Sequence, residues 1–403
     1  MKLADIIDTF ITGDWGEESP TQDTPNAAYC VRGADIVPIT NHNFTDIPQR
    51  YVCDRTKETK LLAAGDLVIE KSGGSPTQST GRIVYVSEDL IKAKGNVVCS
   101  NFCTAFRVKA GWNPLYVYYF WQNVYNHGAF FNFEGKTSGI KNLQLDNALS
   151  AIDIEYLPLE KQNQIVASLA SIDEKIKVNR QINDNLEAMA KQLYDYWFVQ
   201  FDFPNEEGKP YKSSGGAMVY NEKLKREIPQ GWDVVNYMSL FGIGNGQTIP
   251  QTNGKIPAYG GNGVVKMIAE ANYSPCVIIG RVGANCGSIH YSKVPCWVSD
   301  NAIAVCPLNI NWLPFVYYSL SLYDLSKNKG GSSQPLITHA TLKNLFFPFS
   351  NATIDKYANI ANAIHQMIHK RQNETVTLTK QRDELLPLLM NGQATVNYHL
   401  SDD

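Results

Sequence analysis

Apolar residues recur along this chain in two distinct periods, and the longer period dominates two segments. From Ile165 they fall at Leu169, Ile172 and Ile176, then at Leu186, Ala190, Leu193 and Trp197. Asn179 and Asn183 complete a spacing that alternates four and three, the mark of a heptad seam on one long helix. The same register displaced by 195 residues passes through Ile360, Ile364, Met367, Arg371, Glu374, Leu378, Gln381, Leu385 and Leu388. A single helix of this length, polar on its other faces, needs a partner to bury its seam. The economical partner is the other helix, packed antiparallel.

The shorter pattern marks strands. DLVIE from Asp66, RIVYVS from Arg82 and NVVCSNFCTAFRV from Asn96 are separated by Gly, Pro, Ser and Asn clusters. PCVIIGRVG from Pro275 and CWVSDNAIAVC from Cys296 answer them in the second half. Aromatic helices are predicted from Pro114 and Pro314, proline being favourable in a first helical turn. Ser100-Asn101-Phe102 is matched by Ser299-Asp300-Asn301, and Tyr118-Tyr119 by Tyr317-Tyr318, both at an offset of 199. The chain therefore reads as an α+β fold with a pseudo-two-fold repeat. Two similar β-rich modules (1–157 and 233–350) are separated by two long antiparallel coiled-coil helices (158–199 and 351–392). A linker (200–232) and a tail (393–403) complete the division. Aromatics at the start of the linker suggest docking against the helix end, and its Gly, Ser and Lys content suggests an exposed loop.

Composition narrows the class. With 403 residues the chain can build two or three cores, and 44% hydrophobic and 11% aromatic content are those of a folded protein. No run of 18 apolar residues is present, so no membrane span is expected, and the N-terminus has no secretory pattern. A cytoplasmic location is the expectation. The eight cysteines contain no CxxC and read as reduced, buried thiols. Net charge is −3, with 14 Lys/Arg against 18 Asp/Glu in residues 1–157 and 7 against 4 in residues 233–350. Any attraction to nucleic acid must therefore come from a local face.

A search for catalytic chemistry is mostly empty. Gly242-Ile243-Gly244-Asn245-Gly246 departs from the dinucleotide fingerprint and reads as a turn lining a groove. No phosphate-binding GxxxxGKS/T loop and no Asn/Asp-Pro-Pro-aromatic tetrapeptide is found. Glu70 and Lys71 are adjacent, so on a strand they point to opposite faces and cannot share a metal with Asp66. His365 and His369 stand one turn apart but lack a third ligand, and a solvated helix face is the favoured reading. No metal and no catalytic residue are assigned.

What remains are polar, Gly-punctuated loops in corresponding places. The first half offers Lys71, Ser72, Thr77, Gln78, Ser79 and Arg82, then Lys136, Thr137, Ser138 and Lys141. The second offers Gln247, Thr248, Tyr259, Asn262, Arg281, Asn285 and His290, then Lys329, Ser332, Ser333 and Gln334. Arg and Lys can fork onto guanine, Gln and Asn onto adenine, and hydroxyls can reach phosphate. These are the candidate DNA contacts.

The string LYDYWFVQFDFPNEEGKPYKSSGGAMVYNEKLKREIPQGW from Leu193, preceded by LPLEKQNQIVASLASIDEKI, resembles the central region of specificity (HsdS) subunits of type I restriction-modification systems. GDWGEE at Gly13 and AGDLVIEKSGG at Ala64 resemble that family's first target-recognition domain. IPAYGGNGVV, VIIGRVGANCGSIHY and SDNAIAV resemble its second, so the resemblance spans essentially the whole chain. It implies two domains that each read half of a split double-stranded DNA target, and helices that act as a ruler for the unread spacer. It also implies docking of two methyltransferase subunits and of restriction subunits. S-adenosylmethionine, ATP and Mg would then reside on those partners, with no cofactor and no catalysis in this chain. Two rival readings stand beside it: a methyltransferase or nuclease fragment, and a two-module scaffold that binds protein.

Overall fold

The computed structural model describes residues 1–73, 78–137, 140–323, 325 and 336–394. They form two compact units: residues 1–179 with the chain from Glu374 onward, and residues 180–373. The boundary between units falls inside both long helices, Leu159–Tyr194 and Asn351–Met390.

In the first unit the strands are β1 (Ile7–Thr12), β2 (Asn26–Val31), β3 (Gln49–Val52), β4 (Leu67–Glu70), β5 (Ser72–Gly73), β6 (Ile83–Tyr85), β7 (Val97–Cys99), β8 (Cys103–Val108), β9 (Glu134–Thr137) and β10 (Ile140–Leu143). They pair as a four-stranded antiparallel sheet, β1-β8-β4-β6, and two three-stranded sheets, β3-β2-β7 and β5-β10-β9. β2 and β7 run parallel. β4 is buried along its whole length, which is why LVI reads as a continuous apolar run rather than an alternation.

The second unit carries β11 (Met218–Asn221), β12 (Arg226–Pro229), β13 (Asp233–Asn236), β14 (Phe241–Asn245), β15 (Ile256–Gly260), β16 (Gly263–Ile268), β17 (Cys276–Gly280), β18 (Ile289–Ser292), β19 (Trp297–Val298), β20 (Ala302–Pro307) and β21 (Phe346–Phe349). Here the four-stranded sheet is β14-β20-β17-β18 and a three-stranded sheet is β16-β15-β19, with β15 and β19 parallel. Strand for strand this is the first unit's order. Registers agree too: Thr12 lies opposite Thr104, which lies opposite Ile69, and Asn245 opposite Ile303, opposite Ile279. The expected duplication is thus a duplication of topology.

Each sheet is backed by its aromatic helix. Asn113 caps the helix Pro114–Asn126, its Oδ1 accepting from Leu115 N–H at 2.8 Å, with Pro114 in the first turn. Its Trp121 stacks on Phe130 and donates Nε1–H to the Gly81 carbonyl at 2.7 Å. The matching helix, Leu313–Ser321, packs Phe315 and Tyr318 into the second core.

The seam of the first long helix lies where its spacing predicts. Ile165, Leu169, Ile176, Asn179, Asn183, Ala190 and Trp197 are buried, and Ile172, Leu186 and Leu193 half-buried. Within the first unit Ile165 and Leu169 join one core with Leu386 and Leu389 of the second long helix, and Asp173 pairs with Arg382 at 2.9 Å. Sequence number rises along one helix as it falls along the other, so the two run antiparallel there. Within the second unit Ala190 and Tyr194 share a core with Tyr357, Ala358, Ala361 and Ile368.

The seam expected on the second helix is corrected by one residue. Ile360, Met367 and Leu388 are 45%, 49% and 42% exposed, whereas Ala361, His365, Ile368, Leu386 and Leu389 are buried. Ile364 is buried and Leu378 and Leu385 are half-buried, flanking the true stripe. The offset from the first helix is 196, since Ile165, Leu169, Ile172, Ala190 and Leu193 map onto Ala361, His365, Ile368, Leu386 and Leu389. The stripe is hard to see because a histidine and an arginine stand in it. His365 is therefore no part of a solvated face: it is 1% exposed, its Nδ1 meets the Tyr291 hydroxyl, and Tyr318 lies against its ring.

The linker block has a structural role. Tyr194, Trp197, Phe198, Phe201 and Phe203 are buried with Phe315 and Tyr357, and Phe203 stacks on Tyr211 and Trp232. Burying each such ring contributes about 1.5–3 kcal/mol. The stretch that follows, 204–217, is largely exposed. All eight cysteines are free thiols, six of them buried; burial pushes Cys30 up to about 12 and Cys103 to about 11.

Candidate nucleic-acid interface

Both modules make the same backbone crossing at one end of their four-stranded sheet. β4 ends at Glu70; the next residue, Lys71, donates its N–H to the Phe102 carbonyl at 2.8 Å and accepts from Leu143 N–H at 2.7 Å. β17 ends at Gly280; Arg281 donates to the Asn301 carbonyl at 2.9 Å and accepts from Ile337 N–H at 3.0 Å. Beside them β1 and β14 run out into Gly13 and Gly246. A Cβ at either would lie 1.9 Å from the Ser100 carbonyl oxygen or 1.7 Å from that of Ser299, so glycine is required for the close approach. The repeated anchors seen in the sequence are the residues these crossings are built on.

A cleft opens at each crossing. In the first unit, about 490 Å³ is lined by Phe10, Thr12, Lys71, Thr104, Gln144, Asp146 and Asn147 among others. In the second, about 600 Å³ is lined by Thr248, Asn262, Val265, Asn285, Ser299, Asp300 and Asn301 among others. The side chains of Lys71 and Arg281 make no hydrogen bond or ion pair with any described residue. Among the described residues, each module thus holds a cation without a side-chain partner at the end of its central strand.

The structure brings Lys71 into the first cleft, and Thr248, Asn262 and Asn285 into the second, with Arg281 joined to the Asn301 backbone at its edge. Other predicted contacts are corrected. Arg82 forks onto Glu70 at 2.8 and 2.6 Å; Glu70 is 3% exposed, and the ion pair raises the Arg82 pKa. Its charge is neutralised inside the fold. Lys141 is bound to Glu134 at 3.0 Å and to the Gln78 carbonyl. Burial opposes ionisation of Glu134, but Thr80 N–H and Lys141 outweigh it and hold its pKa low. Ser79 is buried, its carbonyl accepting from Tyr125. Ser72 bonds Asn142 across β5 and β10, and Gln78 is exposed but already partnered.

In the second unit the Tyr259 ring packs on the Cys276, Ile278 and Val298 cluster, so it is a core residue. His290 has a buried Nε2 and does not line the cleft, and Gln247 lends its carbonyl to Trp297 Nε1–H. Lys136 and Thr137 lie on β9. Thr77, Ser138, Lys329, Ser332, Ser333 and Gln334 lie outside the described residues. Cleft residues that sequence reasoning missed include Thr12, Gln144, Asn147, Val265 and Asn301. Of these only Asn301 carried a signal, as part of a repeated anchor.

Among the described residues no group of three or more His, Cys, Asp or Glu side chains could hold a metal, and no helix is long and apolar enough to cross a membrane.

A module of one topology used twice, with the same cation-bearing backbone crossing in each copy and a long helix after each, defines a duplicated two-module protein. Comparison with known proteins gives the family. The model of the type I restriction modification DNA specificity domain matches residues 3–188 and again 229–384, and the chain belongs to that family. The MjaIX type I restriction enzyme specificity subunit of Methanocaldococcus jannaschii is 25% identical over 279 residues, 62% of this chain and 62% of that protein. The EcoprrI specificity subunit of Escherichia coli is 27% identical over 123 residues, 28% of this chain and 30% of its own. The aligned regions thus span less than two thirds of these relatives. The crystal structure of the type I S subunit from M. genitalium shares the fold, with a TM-score of 0.56 at 17% identity, covering 99% of this chain and 96% of that one.

Proposed function

We propose that this chain is the sequence-reading subunit of a cytoplasmic type I restriction-modification complex, each module reading one half of a bipartite double-stranded DNA target. The observation that carries the reading is the equivalence of Lys71 and Arg281. Two copies of one cation-bearing crossing suit two like stretches of a polyanion, and polar side chains in the cleft beside each crossing suit base edges. Family membership and the names of the relatives support DNA as the ligand.

In this reading the chain makes and breaks no bonds. Methyltransferase subunits dock on the long helices and adjoining surfaces and carry S-adenosylmethionine. Restriction subunits bring ATP, Mg and nuclease chemistry. Partners also supply much of the phosphate contact, which meets the objection raised by a net charge of −3. The helices set the spacing of the half-sites. The 36 residues of Leu159–Tyr194 measure about 54 Å at about 1.5 Å each. At 3.4 Å per base-pair step a helix of that length matches about 16 steps of duplex, which suits an unread spacer of roughly six to ten pairs between two half-sites.

The test is co-expression with a type I methyltransferase subunit, followed by sequencing of methylated adenines. A bipartite methylated motif that appears only when both chains are present is expected. Absence of methylation, or a motif unchanged when this chain is omitted, would sink the reading in favour of a protein-binding scaffold.

A further inference from the structure

The two modules are built differently beside their crossings, and the difference bears on what the second cleft takes. At the position of Glu70 in the first module the second has Gly280, and at that of Arg82 it has Ser288, as the paired backbone bonds show: Glu70 N–H to the Arg82 carbonyl at 2.9 Å, Gly280 N–H to the Ser288 carbonyl at 2.8 Å. The buried ion pair of the first module is therefore absent from the second. In its place is an open cleft with three exposed carboxamides, Asn262, Asn285 and Asn301. None has a side-chain hydrogen bond to a described residue.

Two further features aim this cleft at a base edge rather than a phosphate. Asp300 stands in its lining, its carboxylate accepting weakly from Thr248 at 3.4 Å, and would repel a backbone phosphate at close range. Val265, 62% exposed on β16, supplies an apolar wall beside the amides. The Ser299 hydroxyl, 2% exposed and without a protein partner, completes the lining. Carboxamides that donate and accept at once match the N6 and N7 edge of adenine, and an apolar side chain matches the thymine methyl of the same pair.

We infer that Asn262, Asn285 and Asn301 are the specificity-determining residues of the second module, reading an A·T pair in the major groove with Val265 against the thymine methyl. The inference rests on the DNA-reading function proposed above and names the residues and the base pair involved. Arg281, at the rim, contacts the backbone and sets the depth of approach.

The experiment uses the full chain with its methyltransferase subunit and duplexes carrying the mapped target. Each thymine in turn is replaced by deoxyuridine, and each adenine by 7-deazaadenine. At one pair, loss of the methyl should weaken wild-type binding about fourfold, and loss of N7 about tenfold or more. Val265→Ser should bind thymine and deoxyuridine duplexes alike. Asn285→Asp and Asn262→Asp should lose discrimination at that same pair while the other half-site stays intact, and Asn301→Asp should do likewise. All four positions are exposed, so folding should survive, as matching unfolding midpoints would show. If every replacement is tolerated within twofold, or the Asn variants discriminate as wild type does, the inference fails while a methylated bipartite motif leaves the broader reading standing. If the complex shows no sequence preference at all, both fail.

Discussion

Lys71 and Arg281 are the same residue position in two copies of one module, although 210 residues separate them in the chain. Each follows the central strand of its sheet, and each is held by one donated and one accepted backbone bond, at 2.8 and 2.7 Å for Lys71 and at 2.9 and 3.0 Å for Arg281. The backbone alone fixes them there, which leaves both cationic heads available.

Replacing either cation by alanine should therefore weaken DNA binding with little loss of stability. In the reading proposed above, a lysine in one copy and an arginine in the other serve as positioning contacts to phosphate. Lys71→Ala and Arg281→Ala should each lower affinity about uniformly across sequences and reduce the slope of log K against log salt by about one. Titrations at several salt concentrations measure this; an unchanged slope in both variants would remove these residues from the interface.

Arg82→Ala should behave in the opposite way. Removing the arginine leaves the Glu70 carboxylate, 3% exposed, without its counter-ion. Breaking such a pair costs about 3–5 kcal/mol, whereas Glu70→Gln with Arg82→Met should recover much of it. Denaturant unfolding of the single and double variants checks the sign. Should Arg82→Ala unfold like wild type and merely bind DNA less well, the assignment to an internal ion pair is wrong.

The second unit should lose stability in mild acid. Burial first, and Lys293 second, push the His365 imidazole down from 6.5 to about 3. Between those values the unfolded chain binds a proton that the folded one refuses. The contribution of this site is thus intact above about pH 6.5 and erodes as pH falls, by about 2 kcal/mol between pH 7 and 5. In His365→Gln this part of the pH dependence should vanish. Unfolding midpoints of both proteins at pH 5 and 7 decide it, and equal pH sensitivity would refute the role of His365.

Four residues inserted into each long helix add about 6 Å. The unread spacer of the methylated motif should then grow by one to two base pairs with both half-sites unchanged. A motif of unaltered spacing would show that the helices do not set it.

Much of this molecule was legible before any coordinates. Aromatic and β-branched runs marked both central strands and both aromatic helices, because burial on one or both faces leaves its period in the sequence. The heptads marked the first long helix from Ile165 to Trp197 for the same reason. The repeat showed through the anchors at Ser100 and Ser299, where a glycine must face a carbonyl.

Tertiary structure decided the rest. The seam of the second helix is set by what its residues meet: Arg382 turns inward because Asp173 stands opposite at 2.9 Å, and His365 because Tyr291 does, so apolar spacing alone, which passes over a histidine and an arginine, settles on Met367 rather than its neighbour Ile368. Whether a loop cation is free depends on a carboxylate brought near by strand pairing, Glu70 for Arg82 and Glu134 for Lys141. The kinship of Lys71 and Arg281 was hidden because loops of unequal length shift one repeat against the other by 199 residues at the anchors and 210 at the cations. One-dimensional periodicity records burial within an element; partners supplied by other elements, and the space left between them, exist only once the chain has folded.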